Sequence, residues 1–158
     1  MIDGEHSVLD VTEAYGIEHE TYKALWDLRM RGSDGFLLVY STTSRSSFNH
    51  VRKFYNRIHA SRESTGMLMP TPILLVGNKS DMVADREVAV SEGKALARDL
   101  GCEFIETSAK DNVNVEEAFH SVTRIIQRQR IQPTPAPPSS AGRRHARLRQ
   151  KASKCVIL

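Results

Sequence analysis

Two short segments carry residue types able to read a nucleobase: Asn78-Lys79-Ser80-Asp81 and Ser108-Ala109-Lys110. A carboxylate only accepts hydrogen bonds, and its two oxygens match a pair of adjacent N–H donors. Guanine presents such a pair at N1 and the exocyclic N2, and adenine does not. Asp81 is therefore the residue that would select guanine, and a site built on those bonds rejects an analogue lacking them by roughly 10⁴. Asn78 suits the purine N7 edge, the aliphatic stem of Lys79 can cover the ring, and the Ala109 N–H, between Ser108 and Lys110, can reach O6. Alone, Asn-Lys-x-Asp would also fit a helix-capping turn. The two segments together, each directly after an apolar run, point to a guanine site.

A third segment, Cys155-Val156-Ile157-Leu158, has the pattern of a prenylation signal, and its terminal Leu points to a geranylgeranyl group on Cys155. One lipid alone anchors marginally. Six basic residues supply a second signal: Arg143, Arg144, Arg147, Arg149, Lys151 and Lys154, with no acidic residue among them. Each contributes about 1 kcal/mol near an anionic leaflet. They also explain the formal net charge of +3, because residues 1–142 carry 16 basic against 19 acidic side chains. A near-neutral body with a basic end argues for an anionic membrane surface and against nucleic acid. Phosphorylation of Ser153, among those charges, would weaken the attachment.

These segments need a scaffold, and the 158-residue chain, 40% hydrophobic and 26% charged, is long enough to bury one core. Three apolar runs, 35–40, 72–77 and 102–106, each precede a stretch with helical spacing: Phe48, Val51, Tyr55, Ile58; then Ala95, Leu96, Leu100; then Val115, Phe119, Val122, Ile126. Unbroken runs mark strands buried on both faces and steps of three and four mark amphipathic helices, so three βα units are expected in an α/β fold with a parallel sheet and helices on its faces. Asn114 and Glu117 suggest a capping box that starts the last helix near Val115. Ligands bind beyond the carboxyl ends of the strands in such sheets, where both nucleobase segments fall. The runs are too short to cross a membrane, no secretory signal precedes them, and two cysteines are too few for a disulfide framework. A cytosolic protein is expected. Cys102 opens a strand and reads as a small hydrophobe, while Trp26, Leu25 and Met30 read as core or as an exposed partner surface. Residues 133–142, rich in proline, form a spacer, dividing the chain into a body, 1–132, and a disordered tail, 133–158.

With these motifs in place the sequence resembles the Ras family of small GTPases over residues 2–130 and again at its C-terminus. Ile2-Asp3-Gly4-Glu5 and Leu9-Asp10-Val11 look like that family's third strand, and Tyr22, Met30-Arg31 and Gly35-Phe36 match its second helix and fourth strand. The resemblance implies GTP and GDP as ligands, Mg²⁺, protein effectors or regulators, and a lipid-anchored place on the cytoplasmic face of the plasma membrane or an endomembrane. It implies an incomplete P-loop-NTPase-like, Ras-like sheet, because no Gly-x-x-x-x-Gly-Lys-Ser/Thr occurs to cradle phosphates or hold Mg²⁺. Glu13-Ala14-Tyr15-Gly16 stands where the family has Asp-x-x-Gly, which assigns Glu13 to the metal and the Gly16 N–H to the γ-phosphate. Ile17 stands at the family's water-orienting Gln, leaving Glu18, His19 or Glu20 as substitutes. GTP hydrolysis by this chain alone is expected to be negligible, which leaves open a non-catalytic, membrane-tethered interaction protein or an incomplete chain of a full GTPase.

In the resembling fold the first strand lies between the third and the fourth. Without it, either Ser7–Val11 re-pairs beside Phe36–Tyr40 or the N-terminal thirty residues are poorly ordered. The cost of unpaired strand groups, about 1–3 kcal/mol each, favours the second expectation.

Overall fold

The computed structural model describes residues 8–13, 23–63, 70–131 and 152–158. In chain order the elements are β1 (Leu9–Glu13), α1 (Lys23–Gly32), β2 (Gly35–Ser41), α2 (Arg45–Glu63), β3 (Ile73–Asn78), α3 (Val90–Leu100), β4 (Glu103–Glu106), α4 (Val115–Ile131) and β5 (Ser153–Ile157). All strand pairs are parallel, in the order β1-β5-β2-β3-β4.

The alternation expected from the apolar runs is present, with helices on both faces. On one face α1, α2 and α3 bring Trp26, Met30, Val51, Ile58, Leu96 and Leu100 against Phe36, Leu38, Tyr40, Ile73 and Leu75. On the other, α4 lays Ala118, Val122 and Ile126 on Leu37, Leu74 and Val76. Successive strand side chains point to opposite faces, so the unbroken run Phe36-Leu37-Leu38 feeds both cores at once. Trp26 and Met30 are core residues, whereas Leu25 faces outward. Cys102 is half-buried just ahead of β4, the outermost strand on that side, and packs at the edge of the first core.

Close approach fixes two glycines. A Cβ on Gly93 of α3 would lie 2.5 Å from the Tyr40 hydroxyl and 2.6 Å from the Phe104 ring, and one on Gly77 would lie 2.9 Å from the same hydroxyl. Tyr40 is buried between them, and desolvation, with Glu106 nearby, raises its phenol to about 12.

The last helix starts at Val115 as expected, by a different device from the capping box. Asn114 takes a left-handed φ of 56° and its amide Nδ2 donates to the Glu106 carbonyl at 2.9 Å. Glu117 looks down the helix, accepting from Arg124 at 2.7 Å and Ser121 at 3.3 Å.

The chain ends overturn two expectations. Residues 9–13 and 23–32, part of the N-terminal region expected to lack order, form β1 and α1. Residues 153–157, assigned to a tail outside the fold, form a central strand. β5 stands between β1 and β2, pairing Leu9–Glu13 with Ser153–Ile157 and Gly35–Leu37 with Cys155–Ile157. That is the place of the first strand in the resembling fold. The physical reason is the one that made a gap costly: strand edges on both sides need partners, and Cys-Val-Ile is a short apolar run with side chains for both cores.

Candidate functional site

β3 and β4 are neighbours in the sheet, so the segments that follow them emerge together at its carboxyl edge. Backbone bonds stitch them: Ser80 N–H donates to the Thr107 carbonyl at 3.0 Å and Thr107 N–H to the Gly77 carbonyl at 2.9 Å. Asn78 and Asp81 come from one segment, Ser108 and Ala109 from the other, and side chains join the four. The Ser108 hydroxyl donates to Asp81 Oδ1 at 2.7 Å. Asn78 Oδ1 accepts from the Thr107 hydroxyl and from the Ala109 N–H, both at 3.2 Å.

These bonds refine the roles read from sequence. Two donors on Oδ1 fix the orientation of the Asn78 amide, with Nδ2 as its donor. The Ala109 N–H, expected to face O6, braces Asn78 in this arrangement. The Asp81 carboxyl is lowered from its ordinary value, first by the Ser108 hydrogen bond and then by its own backbone N–H and the charges of Lys110 and Lys79. Ser108 is itself buried and accepts from the Asp111 N–H at 3.0 Å, so its hydroxyl proton is committed to Asp81. A carboxylate held by one oxygen keeps the other for a ligand's donors.

Residues outside both motifs hold the site in shape. Lys79 adopts a left-handed φ of 67°, a turn that a non-glycine residue takes at a cost. Thr42, fully buried at the end of β2, fastens that turn: its hydroxyl donates to the Lys79 carbonyl at 2.9 Å and its N–H to the Asn78 carbonyl at 2.8 Å. The Thr42 carbonyl accepts from Glu87 and Val88, tying in the loop before α3. Behind the site Arg86 grips Glu106 in a two-pronged pair at 2.7 and 3.0 Å. Thr42 carried no sequence signal, because a threonine 37 residues before Lys79 acquires its role only when β2 and β3 align.

The phosphate side differs. Gly16, with Glu18, His19 and Glu20, lies outside the described residues. Glu13 ends β1 exposed, and its carbonyl accepts from the Arg29 guanidinium at 3.0 Å. Among the described residues no three His, Cys, Asp or Glu side chains gather at metal-ligand spacing. The described residues therefore do not assemble a Mg²⁺ site around Glu13.

At the third segment Cys155 is 1% exposed, in the core that also holds Leu37, Val122 and Ile126. Burial pushes its thiol up to about 12. Ser153, read as a phosphorylation site among basic residues, is buried and accepts from Arg130 at 3.3 Å. Among the described residues no helix is long and apolar enough to cross a membrane.

Comparison with known proteins shows the family. Residues 1–128 match the model of the Ras family. The chain is 40% identical to Ras-like protein 1 of Pyricularia oryzae and 41% identical to protein ras-2 of Neurospora crassa, alignments that take in all of this chain and 80% and 79% of those proteins. It is 44% identical to Ras-like protein B of Aspergillus fumigatus over 84% of this chain, spanning 62% of that relative's length. A parallel α/β sheet whose carboxyl edge joins these two loops, and a match over most of the sequence, lead to one conclusion: the chain belongs to the Ras family of small GTPases, proteins that bind GTP and GDP.

Proposed function

We propose that this polypeptide binds guanine nucleotides through the base, with Asp81 reading N1 and N2, Asn78 the N7 edge, and Lys79 covering the ring. The observation that carries the proposal is the 2.7 Å bond from buried Ser108 to Asp81, which orients a carboxylate and keeps it ionised before a ligand arrives. Ala109 would exchange its bond to Asn78 for one to O6, and Lys110 adds positive charge at the rim. Preorganised acceptors of this kind select among ligands because a wrong base leaves them unpaired.

The phosphate half is absent from these 158 residues: no Gly-x-x-x-x-Gly-Lys-Ser/Thr occurs, and among the described residues no three His, Cys, Asp or Glu side chains gather to hold a metal. Phosphoryl transfer depends on positioning and charge around the phosphates, so this polypeptide alone holds the base without turning over GTP. The same reading places it on the cytoplasmic face of a membrane, through geranylgeranylated Cys155 and the basic residues of 143–154. A non-catalytic, membrane-tethered interaction protein fits the same observations.

Equilibrium binding of GDP, GTP and ADP, each with Mg²⁺ and with a chelator, tests the nucleotide reading. The expected result is weak binding that prefers guanine, is indifferent to Mg²⁺, and loses its preference in Asp81→Asn. Tight Mg²⁺-dependent GTP binding, or no preference between GDP and ADP, overturns it.

A further inference from the structure

The sheet contains a slot between β1 and β2, and the chain's own last residues fill it. Beyond the strand register, Ser153 N–H donates to the Val8 carbonyl at 2.8 Å, Asp34 N–H to the Lys154 carbonyl at 2.7 Å, Leu158 N–H to the Leu37 carbonyl at 2.9 Å and Val39 N–H to the Leu158 carbonyl at 2.7 Å. Bonds therefore run down both edges of the segment. Its side chains divide between the two cores, Cys155 toward α4 and Val156 toward α1 and α2. At the entrance Asp34 accepts from the Lys154 N–H at 2.9 Å and pairs with Arg130 at 3.1 Å, while Arg130 also reaches Ser153.

We propose that the slot between β1 and β2 is a strand-accepting site, that its ligand is this chain's own Ser153–Leu158, and that seating there withholds Cys155 from lipid attachment. The same six residues then serve as central strand or as membrane anchor, never both together. The chemistry imposes the exclusion. In prenylation the cysteine sulfur attacks C1 of an allylic isoprenoid diphosphate; the S–C bond forms, the C–O bond to diphosphate breaks, and the thiol proton passes to solvent. A sulfur 1% exposed within the core under α4 meets neither solvent nor the diphosphate, and a close-packed core has no room for the isoprenoid product. The exclusion of lipid rests on Cys155 being a prenylation site; the seating of the strand does not.

The test uses the full chain in native buffer. Cys155 is alkylated with N-ethylmaleimide and followed by site-resolved mass spectrometry, beside the chain in urea and a synthetic peptide of residues 143–158. Geranylgeranyl transfer from geranylgeranyl diphosphate by a protein geranylgeranyltransferase is measured on the same three samples. The expected result is labelling at least about a thousandfold slower in the native chain than in the peptide or in urea, since reaction waits for the strand to leave, with lipid transfer following the same order. Asp34→Asn weakens the entrance latch and is expected to speed Cys155 labelling severalfold with Trp26 emission unchanged; this variant keeps the test open where a core substitution in β5 would unfold the sheet. Native labelling at the peptide's rate overturns the proposal. So does protection found only in a dimer by light scattering, which would make the ligand a second copy's strand. Slow native labelling with a peptide that accepts no lipid supports the slot, and removes the prenylation reading and the exclusion built on it.

Discussion

Val156→Ala separates a central strand from a tail outside the fold in one measurement. Val156 is 2% exposed and packs in the core that holds Trp26, Met30, Phe36 and Ile58. The substitution deletes two buried methyl groups, about 0.8 kcal/mol each, and leaves a cavity that the rigid neighbours refill only in part, so a loss of roughly 2–3 kcal/mol is expected. At a slope of about 1–3 kcal/mol per molar urea, the unfolding midpoint falls by about 0.7–3 M. Trp26 is the single tryptophan and is buried in the same cluster, so its emission reports the transition directly. Val83→Ala supplies the comparison: Val83 is 74% exposed in the loop after β3, and its truncation is expected to stay within about 0.5 kcal/mol. If the midpoints of Val156→Ala and Val83→Ala agree, Val156 is not in the core and the strand assignment fails.

Ser108→Ala removes the donor that holds Asp81, so the Asp81 carboxyl is expected to titrate closer to the ordinary range by carbon-detected NMR, with guanine preference falling alongside. Glu92 is held down at about 2 by hydrogen bonds from Arg45 and from the Ala89 N–H. Because its folded value is depressed from 4.5, its contribution is complete above about pH 4.5 and is lost as the pH falls toward 2; Glu92→Gln is expected to flatten the thermal midpoint across that window. Gly93→Ala puts a methyl 2.5 Å from the Tyr40 hydroxyl, and overpacking of about 1–3 kcal/mol outweighs the roughly 1 kcal/mol gain in helix propensity, so the midpoint falls. Gly32→Ala, with nothing within 4 Å, is expected to leave it unchanged or raise it slightly.

The sequence by itself determined what depends on near neighbours along the chain. The runs before α2 and α3 are apolar without interruption, the run before α4 centres on Phe104-Ile105, and the stretches after them step by three and four, so each βα unit could be read where it stands. Parallel pairing then brought Asn78 and Asp81 beside Ser108 and Ala109 as a matter of topology. The bracing by Thr42 was not legible, because that threonine has no distinctive type or spacing and acts only through alignment of separate strands.

Only the tertiary structure decided the fate of Cys155-Val156-Ile157-Leu158. A cysteine followed by aliphatic residues is equally a lipid signal and a short strand, and nothing within the segment chooses between them. The choice is made 120 residues away, where Asp34 and the open edges of β1 and β2 supply backbone partners and two cores supply complementary surface. Burial and hydrogen bonding are properties of surroundings, and for this segment the surroundings come from the rest of the chain.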